Sequence, residues 1–227
     1  MTTISTNLQS VRARIAAAAQ QAGRDAEEIA LLAVSKTVPP EQIREAAEAG
    51  QRAFGENYAQ EGIGKMATLA AHRLEWHFIG PLQSNKTRPV AEHFDWVHSV
   101  ERLKVAERLA AARGAHLPPL QICVQVNVSG EASKSGVSPP ETAALARAVA
   151  SLPNLRLRGL MTIPEPSRDA TLTRQRFAAL RQLRDALNRD GLALDTLSMG
   201  MSHDLEEAIL EGATIVRVGT AIFGKRT

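Results

Sequence analysis

Apolar residues recur along this chain in two alternating rhythms, and the alternation itself predicts an architecture. Over residues 5–22 the positions Leu8, Val11, Ile15, Ala18, Ala19 and Ala22 fall at helical spacing and stop at Gly23. The next apolar run, Leu31-Leu32-Ala33-Val34, is unbroken and too short for a helix, so it reads as a buried strand. Lys36 interrupts it, Pro39 and Pro40 open a helix over 41–49, and Gly50 closes that helix. The same pair of periods then repeats. Strands are predicted over 52–55, 75–80, 95–99, 120–128 (the longest), 155–161, 194–198 and 214–218. Between them, helices are predicted from Tyr58 to about residue 70 and over 83–93, 101–113, 140–151, 171–189 and 204–211. Strands alternating with helices imply a parallel sheet, and eight such units close naturally into a (β/α)8 TIM barrel. An open, doubly wound sheet is the alternative. The first helix precedes the first strand and is expected to cap the barrel floor. Residues 164–170 are the most linker-like stretch, yet the pattern resumes after them, so a single domain over 1–227 is expected.

Composition narrows the class without naming a chemistry. The chain has 227 residues, enough for one barrel, with 44% hydrophobic and 22% charged residues. Its net charge of +3 is scattered rather than clustered, which argues against a nucleic-acid partner. The single cysteine, Cys123, sits in the run Ile122-Cys123-Val124 and is expected to be inert core. An internal disulfide is therefore impossible, as suits a reducing cytoplasm. No stretch approaches membrane length, and the start Met1-Thr2-Thr3-Ile4 lacks a basic and apolar leader. A soluble cytoplasmic protein with no membrane partner is expected.

Candidate chemistry begins with Lys36, a lysine at the carboxyl end of a buried strand. Partial desolvation there lowers an ammonium pKa and frees the lone pair to attack an aldehyde. The ordinary alternative is a lysine whose stem covers the strand end while its head reaches water. In a barrel, active groups sit in the loops after the strands, and phosphate binds after strands seven and eight. After strand seven comes Ser198-Met199-Gly200-Met201-Ser202-His203-Asp204, with Ser202 the expected N-cap of the next helix. After strand eight comes Arg217-Val218-Gly219-Thr220-Ala221, where a glycine lets backbone amides approach an anion. Either motif alone is an ordinary cap or turn; together, in the two expected loops, they point to a phosphorylated ligand. Arg217 carries five donors and a permanent charge, so it must meet a carboxylate or a ligand acceptor. Asn57 and His77 fall at strand ends and could line the same mouth, though a purely structural histidine is as good a reading of His77. The six histidines lack zinc-ligand spacing, so no metal is implied. Ser129, Ser133 and Lys134 form no nucleophile elbow, and no glycine-rich phosphate loop of the P-loop kind is present.

Several runs carry a resemblance. They are Ala33-Val34-Ser35-Lys36-Thr37, Phe54-Gly55-Glu56-Asn57-Tyr58, the stretch from Trp76 to Lys86, Lys134-Ser135-Gly136, Arg158-Gly159-Leu160-Met161, Ser198-Met199-Gly200-Met201-Ser202 and the stretch from Val216 to Gly224. With these, the chain resembles the single-domain pyridoxal 5′-phosphate homeostasis proteins, which are similar in fold to the barrel domain of bacterial alanine racemase. The resemblance covers nearly the whole chain, and its departures are small: His203 in the serine turn and a short tail after Gly224. It implies pyridoxal 5′-phosphate as cofactor, with Lys36 as the Schiff-base lysine. The phosphate would lie on Ser202 and the amides of Gly219 and Thr220, with Arg217 against the pyridine nitrogen. Asn57, His77 and Met199 would line the cofactor.

Two functions follow from different classes, and a third from further away. The resemblance implies a cofactor-binding protein that keeps vitamin B6 and amino-acid levels in balance, without robust turnover; apo-enzymes that use the cofactor are its candidate partners. The second is a pyridoxal-phosphate-dependent amino-acid racemase, and the third a Schiff-base aldolase acting on a phosphorylated sugar. Eight βα units use up the chain and leave no room for the β-rich domain that completes the racemases this barrel resembles. Racemisation also needs acid/base groups on both faces of the substrate carbanion. Lys36 serves one face, while the only tyrosine, Tyr58, has no evident partner. A non-catalytic monomer is therefore expected.

Overall fold

The computed structural model describes residues 3–131 and 135–224, so Ser133 and Lys134 lie outside the described residues. The predicted alternation is present from end to end. The chain runs α1 (Ile4–Gln21), β1 (Ala30–Val34), α2 (Pro40–Glu48), β2 (Ala53–Glu56), α3 (Ala59–Thr68), β3 (Glu75–Phe78), α4 (Thr87–His93) and β4 (Trp96–Val100). It continues with α5 (Leu103–Ala112), β5 (Leu120–Gln125), α6 (Pro139–Ala150), β6 (Leu155–Met161), α7 (Ala170–Arg189), β7 (Thr196–Ser198), α8 (Leu205–Leu210), β8 (Ile215–Val218) and α9 (Thr220–Phe223). The eight strands are parallel and closed in sequence order, β8 pairing back onto β1 through Leu32 with Arg217 and Ala33 with Val218. The open-sheet alternative is thus excluded.

Side-chain alternation along each strand separates two cores. Leu31 and Ala33 of β1, Phe54 of β2 and Val216 and Val218 of β8 face outward and pack beneath the helices. Leu32, Val34, Ile79, Trp96, Cys123, Met161 and Ile215 form a second, smaller cluster inside the barrel. Cys123 is fully buried, and burial pushes its thiol pKa up to about 12, so it is packing and not chemistry. Gly159 of β6 marks the tightest strand contact: a Cβ there would run into the carbonyl oxygen of Thr196 on β7.

Several boundaries differ from the sequence reading. The longest strand is β6, with 7 residues, because β5 leaves the sheet after Gln125 and Val126 instead bridges to Val137. β7 starts at Thr196, and α4 is preceded by a separate tight turn at Ser84–Lys86. The larger correction concerns α1. It does not cap the floor but lies in the helix layer against α2, α8 and α9. The reason is α9, a helix of four residues, too short to cover β8. Leu8, Val11, Ile15, Ala18 and Ala19 take the place of an eighth crossover helix, and the Asn7 amide donates to Ile222 O at 2.8 Å to fix the seam. The floor is approached instead by Arg24 and Glu28, beyond the end of α1. No helix among the described residues is long and apolar enough to cross a membrane.

Candidate functional site

The mouth at the carboxyl ends of the strands is built around the turn after β1. Ser35 O accepts from Val38 N at 2.9 Å, closing a β-turn with Lys36 second and Thr37 third. Thr37 has φ +60°, and Lys36 does not share the positive sign, the pattern of a type II turn. The third position of such a turn normally falls to Gly or Asn; a β-branched residue there costs about 1–2 kcal/mol. Lys36 follows inward-facing Leu32 and Val34 into this turn and is half-buried at the mouth. Three side chains grip this turn. The Lys65 ammonium donates to Ser35 O at 2.6 Å, Glu56 Oε1 accepts from Ser35 Oγ at 2.6 Å, and Glu61 Oε1 accepts from Thr37 N at 2.5 Å. Lys65 also pairs with both acids, at 2.8 Å to Glu56 and 2.5 Å to Glu61. Glu56 points outward from β2 into the closed space under α3. Burial raises its pKa against the opposing pull of Lys65 and Ser35, and its Oε2 has no hydrogen-bond partner among the described residues.

Asn57 follows β2 level with Lys36, since Gly55 pairs with Val34. Its Oδ1 is buried and accepts no hydrogen bond among the described residues. Gly80, after β3, presses so closely on the Asn57 backbone that a Cβ would collide with it. Across the mouth, the loops after β7 and β8 converge: Ser202 Oγ and Thr220 Oγ1 lie 3.2 Å apart. Ser202 is not the cap predicted for it. Asp204 holds the N-cap position of α8, its Oδ1 accepting from Met201 N at 2.6 Å, which leaves the Ser202 hydroxyl turned toward Thr220. Gly219 caps α9 with φ −118°, an ordinary value, so no left-handed turn demands glycine there. The first amides of a helix have no acceptor within it, and since Ile222 N and Phe223 N bond Gly219 O, those of Thr220 and Ala221 are the ones that suit an anion. Met199 does not line the mouth with its side chain. It is fully buried in the outer core with Leu205 and Ala208.

Arg217 points into the barrel at the base of this mouth and is 3% exposed. Burial depresses its pKa to about 10, which still leaves it charged at neutral pH. Nη1 donates to Ser198 Oγ at 2.7 Å and Nη2 to Thr162 O at 2.8 Å. From Ser198 a line of contacts descends through the barrel: to His98 Nδ1 at 2.8 Å, from His98 Nε2 to His77 Nδ1 at 2.9 Å, and from His77 Nε2 to Glu75 Oε1 at 2.6 Å. The ends fix its sense. A guanidinium only donates, and Glu75, whose pKa is lowered by the bond from His77, only accepts. With one proton on each ring, a single assignment satisfies every contact: Arg217 to Ser198, Ser198 to His98, His98 to His77, His77 to Glu75. Burial above all, with the neighbouring Arg217 charge, holds the His98 pKa well below the usual imidazole value. His77 therefore belongs to the barrel core and not to the mouth. It stacks on Trp96 with centroids 5.3 Å apart and borders a cavity of about 450 Å³ on the opposite face, lined by strand starts such as Ala30, Ala53 and Glu75.

Known proteins are similar to this chain over nearly its whole length. The alanine racemase N-terminal domain family matches residues 6–227. A pyridoxal phosphate homeostasis protein of Pseudomonas aeruginosa is 63% identical over 226 residues, covering 100% of this chain and 97% of its own. The chain belongs to this family. Its member in Escherichia coli K12 is 55% identical over 234 residues, covering 100% of this chain and 98% of its own. Among solved structures, PipY of Synechococcus elongatus with PLP bound superposes with a TM-score of 0.85 at 39% identity, over 97% of this chain and 100% of that one. An alanine racemase of Clostridium difficile shares the fold alone, at 14% identity and a TM-score of 0.73, over 98% of this chain and 56% of that one.

Within this family frame, Lys36, Asn57, Ser202, Arg217, Gly219 and Thr220 gather at one mouth, while His77 and the Met199 side chain do not. The sequence reading passed over Glu56, Glu61, Lys65, His98 and Ser198. Only the i,i+4 spacing of Glu61 and Lys65 signalled a pair.

Proposed function

We propose that the protein binds pyridoxal 5′-phosphate at the mouth, held covalently by Lys36, and acts in cofactor and amino-acid homeostasis rather than as a catalyst of turnover. When bound, the group supplies an aldehyde that condenses with an amine, one water leaving, and an electron-withdrawing ring. The residues present fit it. Lys36 offers an amine at the mouth, and Arg217, buried and donor-only, suits an aromatic nitrogen that accepts. The Ser202 and Thr220 hydroxyls, 3.2 Å apart, suit a phosphate with the turn amides beside them. Asn57 Oδ1, buried without a donor among the described residues, suits a ligand hydroxyl. The observation that carries the reading is the charged, nearly inaccessible Arg217 at the base of the same mouth that holds Lys36. Its support outside the chain is PipY, described with PLP bound.

Arg217 also argues against strong catalysis. It cannot accept a proton, so a ring nitrogen facing it stays unprotonated and withdraws electrons weakly. A racemase would need a second base opposite Lys36. Tyr58 is 59% exposed at the N-cap of α3, a poor setting for that role. Passage of cofactor to apo-enzymes, a monomeric state and a cytoplasmic site complete the proposal. The test is reduction of the loaded protein with borohydride, digestion and mass spectrometry. The pyridoxyl group is expected on Lys36; finding it on Lys65 or Lys86 would overturn the assignment.

A further inference from the structure

The turn that carries Lys36 is held in a form its own sequence disfavours. Thr37 occupies the left-handed position of the turn, with φ +60°. Backbone outliers of this kind persist only where surrounding contacts over-determine them, and they collect at functional positions. Here the contacts are specific to the two residues flanking Lys36. Lys65 holds Ser35 O, Glu56 holds Ser35 Oγ, and Glu61 holds Thr37 N, while Lys65 binds both acids into one unit. Lys65 is 6% exposed and Glu56 fully buried, an expensive placement for a surface-type pair with no packing need for charge. The partners of these charges, beyond one another, are the backbone and hydroxyl of the turn.

We propose that Lys65, with Glu56 and Glu61, is the positioning group for Lys36: the triad pins Thr37 in its left-handed conformation and so fixes the direction in which the Lys36 side chain leaves the turn. The proposal rests on the reading of Lys36 as the cofactor-carrying lysine. The triad acts through the backbone of the turn.

Thr37→Gly supplies the discriminating background, because glycine adopts the same φ without strain and needs no restraint. The rate of pyridoxal 5′-phosphate uptake, followed by absorbance, is measured for wild type, Lys65→Met and Glu61→Gln, each alone and combined with Thr37→Gly. Thermal midpoints of the unloaded proteins are recorded in parallel. Lys65→Met is expected to slow loading about 10-fold or more and Glu61→Gln about 3-fold or more, the range that strain of this kind supports. In the Thr37→Gly background each loss should shrink to less than about a third of its size, although the fall in midpoint persists. Loading at the wild-type rate in both variants overturns the positioning role. Equal losses in the Thr37 and Thr37→Gly backgrounds overturn it too, since the effect would then not pass through the turn. Should Lys65→Met fail to fold, Glu61→Gln, which keeps the buried Lys65–Glu56 pair, decides alone. Uptake by wild type with no change in the variants refutes only the positioning. No uptake of either pyridoxal 5′-phosphate or pyridoxal by wild type refutes the cofactor reading beneath it.

Discussion

Ser198→Ala should be among the costliest single-atom deletions in the barrel. The Ser198 hydroxyl is fully buried, accepts from Arg217 Nη1 at 2.7 Å and donates to His98 Nδ1 at 2.8 Å. Removing it takes the acceptor from a charged donor, at about 1.5–3 kcal/mol, and leaves the buried His98 Nδ1 unpaired, at about 1–2 kcal/mol. The sum is about 2.5–5 kcal/mol, equivalent to a fall of about 5–20 °C in Tm for a chain of this size. Thr162 O still holds Arg217 Nη2, so the fold should persist. Urea unfolding measures the change as a lower midpoint with an unchanged slope. Ser99→Ala is the control: that hydroxyl is also buried but has no partner among the described residues, so its removal should be neutral or stabilising. A double-mutant cycle of Ser198→Ala with His98→Phe should show coupling of about 1–2 kcal/mol. A loss below about 1 kcal/mol for Ser198→Ala, or additivity in the cycle, would refute the one-directional line of bonds.

Three further outcomes are expected. His98 binds its proton less readily in the folded protein than the ordinary value of 6.5. The unfolded chain therefore takes up a proton below pH 6.5 that the folded one refuses, and stability is full above that pH and lost as pH falls, by up to about 1.4 kcal/mol per unit. His98→Phe should flatten the slope of stability between about pH 5 and 6.5. The comparison with wild type cancels Glu56, whose raised value works in the opposite sense, and an unchanged slope would count against a neutral His98. Ser202→Ala should weaken pyridoxal 5′-phosphate binding by about 1.5–3 kcal/mol if its bond is charge-assisted. Calorimetric titration with pyridoxal, which lacks the phosphate, should show little change; equal losses for both would make Ser202 a structural residue only. Gly159→Ala should abolish soluble, folded protein, because its Cβ meets strand backbone that cannot move. Gly64→Ala, in open space on α3, should instead stabilise by about 0.5–1 kcal/mol in thermal melts; a folded Gly159→Ala would show that β6 and β7 can separate.

How far the sequence reached depended on whether a feature is local. Strand and helix periods are local, so the eight units and the strand-end positions of Lys36 and Arg217 could be read directly. The line through the barrel joins Ser198 to His98, 100 residues apart, and only closure of the sheet makes them neighbours. His77 looked like a mouth residue because it stands near the end of a strand, but its parity and depth put it in the interior layer. Ser202 looks like a cap because serine favours that role, but the helix starts two residues later, at Asp204, whose carboxylate accepts from Met201 N in the turn before it. The Lys65 triad was hidden for a different reason. Glu56 reads as a strand-end acid at the solvent edge, and nothing in a one-dimensional pattern shows that α3 closes over it.

The use of α1 in place of an eighth crossover helix has a consequence for the order of events during synthesis. The apolar stripe of Leu8, Val11 and Ile15 leaves the ribosome well before most of its partners, α8 and α9, which come roughly 200 residues later. At about 5–20 residues per second, that stripe waits about 10–40 s with only α2 to lean on. The β1–β8 seam waits as long, so barrel closure and the docking of α1 become one late, long-range event. A nascent chain stalled before residue 205 should therefore present α1 as a sticky amphipathic helix, a natural substrate for chaperones. The lysine turn after β1 would by then have been made, but without the β8 strand that supplies its arginine.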